Sequence, residues 1–328
     1  MRGFVVSEVE GQLEVGVRDV TAARRDDGDL LIRVDWSGIN WKDALVASAQ
    51  SRARRVASLV GGIDAAGTIE ASSDDALPVG TRVEAHGGEL GVARDGGFAE
   101  YVYAPSEVIT ALPDSITTRQ AMIIGTAGVT AMQSVLALQD HGLGEGAEVL
   151  VTGATGGVGS VAVALLASLG YRPVASTGSP DESDWLLARG AVRVVGRSEI
   201  ADRPERVLGT ERWDAAVDCV GGSTLQEVLR SLRYGGAVAA SGLVAGTDLA
   251  TTVYPFITRA VSLIGIDSVL ASPATRARSW AALAQLLARV DTEALVDRVV
   301  TLDDIADALE RVRRGETRGR ILVDPTPG

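Results

Sequence analysis

The chain has 328 residues, enough for two domains that each bury a core of their own. It is 46% hydrophobic and 23% charged, as an ordinary soluble globular protein is, and its net charge of −12 argues against nucleic acid or an anionic membrane as partner, since both need a basic surface. A single cysteine, Cys219, excludes an intramolecular disulfide and a cysteine-rich zinc site.

Residues 1–118 are poor in helical periodicity and rich in short β-like runs. Phe4–Val6, Leu13–Val17 and Leu30–Trp36 read as strands, with Gly11 and the run Asp26–Asp27–Gly28–Asp29 marking turns. Gly67–Glu70, Arg82–Ala85 and Phe98–Val102 continue the pattern, and the close spacing predicts a compact, barrel-like β domain. The N-terminal MRGFVVSEVEG has too short an apolar run for a signal peptide, and no run is expected to reach membrane-spanning length, so a cytoplasmic location is expected.

From Thr118 the character changes. Thr118–Met122 and Thr126–Leu138 read as helices, the second capped by Thr126. Strands are then expected at Glu148–Thr152, Arg172–Thr177, Val192–Val195, Ala215–Cys219, Ala237–Ser241 and Ser262–Ile266, with helices at Val158–Leu169, Glu182–Arg189 and Thr224–Leu232. Six strands with crossover helices predict an α/β, doubly wound parallel sheet that holds its ligand at the carboxyl ends of the strands. Two more helices, Thr275–Arg289 and Asp303–Arg314, precede a last strand, Arg320–Val323, that is expected to return to the first domain. A dinucleotide-binding Rossmann domain (119–264) would thus be inserted in a β-rich catalytic domain (1–118 and 265–328).

The chemistry concentrates in VLVTGATGGVGSVAVALL, Val149–Leu166. A buried strand, a glycine cluster (Gly153, Gly156, Gly157, Gly159) and a helix start together make a pyrophosphate site, because backbone N–H groups can approach where no Cβ intervenes. Gly156, Gly157, Val158 and Gly159 are expected to line it, with Ser160 in the first helical turn. At the end of the next strand, Ser176–Thr177–Gly178 carries no acid of the kind that grips a ribose 2′-hydroxyl, so a 2′-phosphate is not repelled there. Ser176 and Thr177 could hydrogen-bond that phosphate and Arg197 could pair with it, although Asp181 and Glu182 lie close by. NADPH is the cofactor this strand end favours.

A second stretch is marked by composition. Of 31 basic residues only Lys42 is a lysine, either by chance or because a compact, deprotonatable ammonium is needed where a guanidinium would not serve. The turn Asn40–Asp43 offers an amide, this ammonium and a carboxylate as candidate catalytic groups; it reads equally as a helix start capped by Asn40, with Asp43 in the first turn. Asp64 reads as a structural carboxylate, His86 as a packing or surface residue and Cys219 as core.

The motifs NWKDA (Asn40–Ala44), GIDAAGT (Gly62–Thr68), IGTAGVTAM (Ile124–Met132), VTGATGGVGS (Val151–Ser160), YGG (Tyr234–Gly236), SGL (Ser241–Leu243), PFI (Pro255–Ile257) and GIDSV (Gly265–Val269) resemble the medium-chain dehydrogenase/reductase superfamily along nearly the whole chain. The likeness is narrowest to its zinc-free branch of acrylyl-CoA reductases and quinone oxidoreductases. In zinc-dependent relatives a cysteine and a G-H-E motif hold the metal; here Gly62–Ile63–Asp64 offers no imidazole, and no metal is expected. The resemblance implies a GroES-like catalytic domain and an NADPH-dependent enzyme that saturates the C=C bond of a short enoyl thioester by metal-free hydride transfer. A quinone or enone reductase is the alternative, and an NADPH-binding sensor without turnover a further one. Trp41, Gly61, Asp95 and Ser179 depart from the branch, where tyrosine, proline, tryptophan and arginine are usual.

The resemblance also implies cofactor contacts at Ala44, Thr126, Gly242, Leu243, Ile266, Asp267 and Ser268, though Thr126 could merely cap its helix. Arg320 could meet a phosphate or form an exposed salt bridge, and Arg52, Arg54 and Arg55 could greet a CoA acceptor or simply be solvated. The apolar segment Ser262–Val269 suggests edge-to-edge pairing in a homodimer.

Overall fold

β-Branched and aromatic runs broken by Gly, Asp and Pro give the first 111 residues of the computed structural model, which describes residues 1–23, 26–200 and 206–326, a strongly β character. In order come β1 (Arg2–Val9), β2 (Gln12–Asp19), β3 (Asp29–Ile39), the short helix α1 (Trp41–Val46), β4 (Ser58–Val60), β5 (Asp64–Ala71), β6 (Arg82–His86), β7 (Tyr101–Pro105) and β8 (Ile109–Ala111). Helix α2 (Thr118–Asp140) leads to β9 (Glu148–Val151), α3 (Gly157–Ser168), β10 (Arg172–Thr177), α4 (Ser183–Leu187) and β11 (Arg193–Gly196). There follow β12 (Trp213–Asp218), α5 (Gly222–Ser231), β13 (Leu232–Ala240), α6 (Tyr254–Arg259) and β14 (Ser262–Gly265). The last elements are α7 (Pro273–Leu286), β15 (Val296–Thr301), α8 (Ile305–Arg314) and β16 (Arg320–Asp324).

These elements form two compact units. The first comprises Met1–Thr126, Ser268–Trp280 and Asp291–Gly328, and the second Ala127–Asp267 and Ala281–Val290. The division therefore falls inside α2 rather than at Thr118, and α7 is shared between the units.

In the first unit β2-β1-β4 form one sheet and β15-β16-β3-β5-β6-β8 another, with β7 also on β3. Phe4 and Phe98 meet edge to face at 6.2 Å in a core shared with Val5, Ile39, Ile305 and Ile321. The strand expected at Phe98–Val102 begins only at Tyr101, because the Phe98 N–H and C=O bond to Gly61 and Phe4 instead. The pairing of the last strand joins the two ends of the chain at one point. β16 runs antiparallel to β3 with Ile321 opposite Ile39, so Arg320 arrives beside Asn40.

In the second unit all six strands are parallel, in the order β11-β10-β9-β12-β13-β14. The order reverses between β9 and β12, the switch point at which such sheets bind ligands.

Helix α2 meets expectation in one way and departs from it in another. Its 23 residues are broken at Gly125 (φ 49°, ψ −160°), between the two helices expected at Thr118–Met122 and Thr126–Leu138, but the run as a whole is long and apolar enough to cross a membrane, with a mean hydropathy of 1.6. That apolar window is 89% buried inside the protein, which accounts for its composition as a core helix.

Candidate active-site turn and dinucleotide cradle

The carboxyl end of β9 runs into the glycine cluster, and Gly156 caps α3 in an extended conformation. The first-turn N–H groups of Gly157, Val158 and Gly159 have no intrahelical acceptor and carry the positive end of the helix dipole. A Cβ at Gly159 would stand 2.3 Å from the Gly153 carbonyl oxygen, so only glycine keeps the turn this tight. The cradle fits a pyrophosphate. Ser160 lies one step too deep to take part: it is fully buried, and its hydroxyl donates to Gly157 O at 3.4 Å.

The strand end of β10 differs from the expectation. Ser176 and Thr177 are buried, because a parallel sheet is covered on both faces, and Thr177 Oγ1 accepts the Ser179 N–H at 2.9 Å. Neither hydroxyl is presented to a ligand. Gly178 is exposed, and the Arg197 guanidinium lies flat against it, 2.5 Å from where a Cβ would be. The register explains the approach: Thr177 pairs with Gly196, which sets Arg197 beside Gly178. Among the described residues no carboxylate forms an ion pair with Arg197, which stays available to an anion. Across the switch point, Asp218 accepts from Thr152 Oγ1 (2.7 Å) and Gly221 N (2.8 Å), and burial pushes its carboxyl upward. Gly242 N donates to Asp218 O, Leu243 is 48% exposed, and Ile266 N bonds Ala240 O at the end of β14. Asp267 is exposed, whereas Ser268 is buried.

The first unit holds a buried polar cluster of which sequence alone reveals only half. Asp64 is fully buried and accepts three N–H groups: Gly38 N at 3.2 Å, Asn40 Nδ2 at 2.9 Å and Thr126 N at 3.0 Å. The break at Gly125 starts a new helical segment, and Asp64 caps it from outside as an anion at a helix N-terminus. Thr126 is thus the capped residue and not the cap. A Cβ at Gly125 would lie 2.9 Å from both Asp64 Oδ2 and Arg320 Nη2, and its φ of 49° also favours glycine.

Arg320 is 1% exposed. It donates to Ile123 O (3.0 Å) and Asn40 Oδ1 (3.1 Å), and its Nη2 stands 3.9 Å from Asp64 Oδ2. The alternatives of a phosphate ligand and an exposed salt bridge are both overturned, because β16 carries this side chain into the interior. Burial lowers its affinity for its proton, while Asp64 and Asp43 favour the charged form. Asn40 is gripped at both ends: Nδ2 gives its hydrogens to Asp64 and to Gly38 O (3.3 Å), and Oδ1 accepts from Arg320. Its expected role as donor to a substrate therefore gives way to a positioned, structural amide. Asp43 accepts Asn40 N (2.7 Å) and Ile63 N (2.9 Å), and burial together with Asp64 pushes its carboxyl from 3.8 up to about 7. Ala44 is 4% exposed in the core beside Val5 and Ile305, which removes it from the cofactor contacts. Lys42 is half-buried on α1 and makes no hydrogen bond or ion pair among the described residues.

His86 is fully buried, with Nδ1 2.6 Å from Glu84 and Nε2 2.8 Å from Arg276. Arg54, read as one of a free basic trio, is 12% exposed and committed to Glu8 and the carbonyls of Val56 and Ala57.

Two family models match the chain: a zinc-binding dehydrogenase over residues 157–289 and an alcohol dehydrogenase GroES-like domain over residues 26–114. The acrylyl-CoA reductase AcuI of Ruegeria pomeroyi is 42% identical over 318 residues, 97% of this chain and 96% of the relative. The YhdH oxidoreductase of Salmonella enterica, solved in complex with NADP, matches with a TM-score of 0.94 at 39% identity over 99% of both chains. The Bacillus subtilis protein YhfP, solved with NAD bound, matches with a TM-score of 0.94 at 40% identity over 98% of both chains. The first description names zinc, yet the residues here do not suit that ion. The Asp64 oxygens are taken by N–H groups with a guanidinium beside them, a setting that opposes a cation.

Proposed function

The chain belongs to the medium-chain dehydrogenase/reductase family of oxidoreductases, and on that footing we propose that it is an NADPH-dependent reductase of the C=C bond of a short enoyl thioester, of the acrylyl-CoA type. The observation that carries this reading is the near full-length likeness to an acrylyl-CoA reductase, 42% identical over 97% of the chain. When bound, the reduced nicotinamide supplies the hydride. The chain supplies the rest. The N–H groups of Gly157, Val158 and Gly159 hold the pyrophosphate, and Arg197 pairs with the 2′-phosphate. Gly242, Leu243, Ile266 and Asp267, at the ends of β13 and β14, line the nicotinamide side.

The Asn40–Asp43 turn is the candidate acceptor site, held rigid by Asp64 and Arg320. A quinone acceptor is the second reading, favoured by the commitment of Arg54, which leaves fewer free cations for a CoA phosphate. The test monitors loss of reduced-nicotinamide absorbance with NADPH or NADH and with acrylyl-CoA or a simple quinone. Faster turnover of acrylyl-CoA supports the thioester reading; faster turnover of the quinone replaces it; cofactor binding without turnover of either points to a sensor.

The protein acts as a homodimer in this reading, located in the cytoplasm. Strand β14 is the outer strand of its sheet, with Leu263 40% exposed, and Ile257 on the preceding helix is 72% exposed. An unpaired edge with such neighbours suits a second copy of the same edge.

A further inference from the structure

Saturating an enoyl thioester needs an acid for the α-carbon, and the usual acids are spoken for. His86 is fully buried with both ring nitrogens engaged by Glu84 and Arg276. His141 lines a groove with Gly144–Ala147 and Arg233–Ala237, at the amino ends of the parallel strands, away from the glycine cradle. The Cys219 thiol is pushed up by burial and by Asp218. The five tyrosines, at 101, 103, 171, 234 and 254, all lie outside the Gly38–Val46 turn. Within that turn Asn40 has given both amide hydrogens away, and Asp43, although its carboxyl is pushed up to about 7, is buried with both oxygens turned to backbone N–H groups and presents no proton at the surface. The Trp41 indole N–H is buried without a partner, but an indole is too weak an acid to release its proton.

One group remains. We propose that Lys42 is the proton donor of the thioester reaction, and the proposal rests on the enoyl-thioester reading above. Its ammonium makes no hydrogen bond or ion pair among the described residues, the residue is half-buried on the first turn of α1, and it lies between Asn40 and Asp43, which hydrogen bonds to the buried cluster and the backbone fix. The charged groups of the same turn and its buried cluster are Asp43, Asp64 and Arg320. The step balances. Once the β-carbon has received hydride, the former C=C electron pair resides in the enolate. An N–H bond of Lys42 breaks, its proton forms the new C–H bond at the α-carbon, nitrogen keeps the pair, and water re-protonates the amine. A guanidinium holds its protons too tightly for this, which gives a chemical reason for one lysine in a chain whose other basic residues are arginine.

The test compares wild type, Lys42→Arg and Lys42→Met. With acrylyl-CoA, both variants should lose about a hundredfold or more in kcat, the range of general-acid catalysis, while K42R keeps the KM. In D2O, wild type should deuterate one face of the α-carbon and the variants both faces. Independent of turnover, propionyl-CoA with NADP should protect Lys42, the only lysine, from acetic anhydride, read by mass spectrometry. Wild-type kcat and one-faced labelling in K42M, or unprotected Lys42 in the complex, would overturn the assignment and leave the thioester reading standing. Absence of wild-type turnover with acrylyl-CoA would sink both.

Discussion

Asp43 makes the stability of this protein depend on pH in a direction opposite to that of most native carboxylates. Its carboxyl is buried, with a pKa raised from 3.8 to about 7, burial being the larger cause and Asp64 the second. The native state therefore binds more protons than the unfolded state between about pH 4 and pH 7, and stability falls as pH rises through that window. Below it both states are protonated and nothing is lost; above it the whole penalty is present. Three units at about 1.4 kcal/mol each set a ceiling near ~4 kcal/mol, and relaxation around the buried charge reduces this to about 2–4 kcal/mol. The replacement Asp43→Asn removes the titration but turns one N–H of its amide toward a backbone N–H, a fixed cost of about 1–3 kcal/mol. Urea unfolding of both proteins at half-unit steps from pH 4 to 8 separates the two terms. The offset is constant, whereas the titration makes the variant gain on wild type by about 2–4 kcal/mol as pH rises. Other carboxylates titrate in both proteins and cancel. A difference that stays flat across the window would mean that Asp43 is an ordinary ionised carboxylate, and the account of a strained acid pair beside one guanidinium would be wrong.

Arg197→Ser should raise the KM for NADPH about ten- to a hundredfold and leave that for NADH unchanged, as loss of a charged hydrogen bond to a phosphate predicts. Equal effects on both cofactors would remove Arg197 from the 2′-phosphate. Asp64→Asn leaves the Arg320 charge buried without its anion and should cost about 3–5 kcal/mol in denaturant unfolding, much of it recovered in the double variant with Arg320→Met. Additive losses would show that the two residues do not act as a pair. If the proposed homodimer pairs through β14, Leu263→Glu should convert it to monomer in sedimentation experiments; a wild-type monomer would refute that pairing directly.

The strands were legible where their own composition specifies them. β-Branched runs closed by Gly or Asp located β1, β2, β3, β6 and the whole parallel sheet to within a few residues. What stayed hidden depends on pairing. β4 and β15 form on partners far along the chain, Leu59 on Val6 and Val299 on Leu322, and their own residues give little alternation to read. Ser176 and Thr177 looked like ligands because hydroxyls at a strand end suit a phosphate, but coverage of both sheet faces turns them inward. Arg197 was legible for the opposite reason: the Rossmann register of β10 and β11 fixes which residue follows Gly178 in space.

The candidate site divides along the same line. Asp64, Asn40, Gly125 and Arg320 come from four distant segments, and each is explained by the others. Gly125 breaks the helix, Asp64 caps the break, Arg320 offsets Asp64, and Asn40 bridges the two charges. Asp64 could be read from its apolar strand as a structural carboxylate, but its partners could not, so a buried arginine read as a phosphate contact or an exposed salt bridge. Such a cluster also tells which residues the fold does not require. Removing Asp64 leaves the Thr126 N–H and the Arg320 guanidinium buried without their carboxylate, whereas Lys42 makes no hydrogen bond or ion pair among the described residues. Packing and hydrogen bonding explain why the turn is rigid; they give no reason for an ammonium on it. Donation of a proton to the acceptor, as proposed, supplies one.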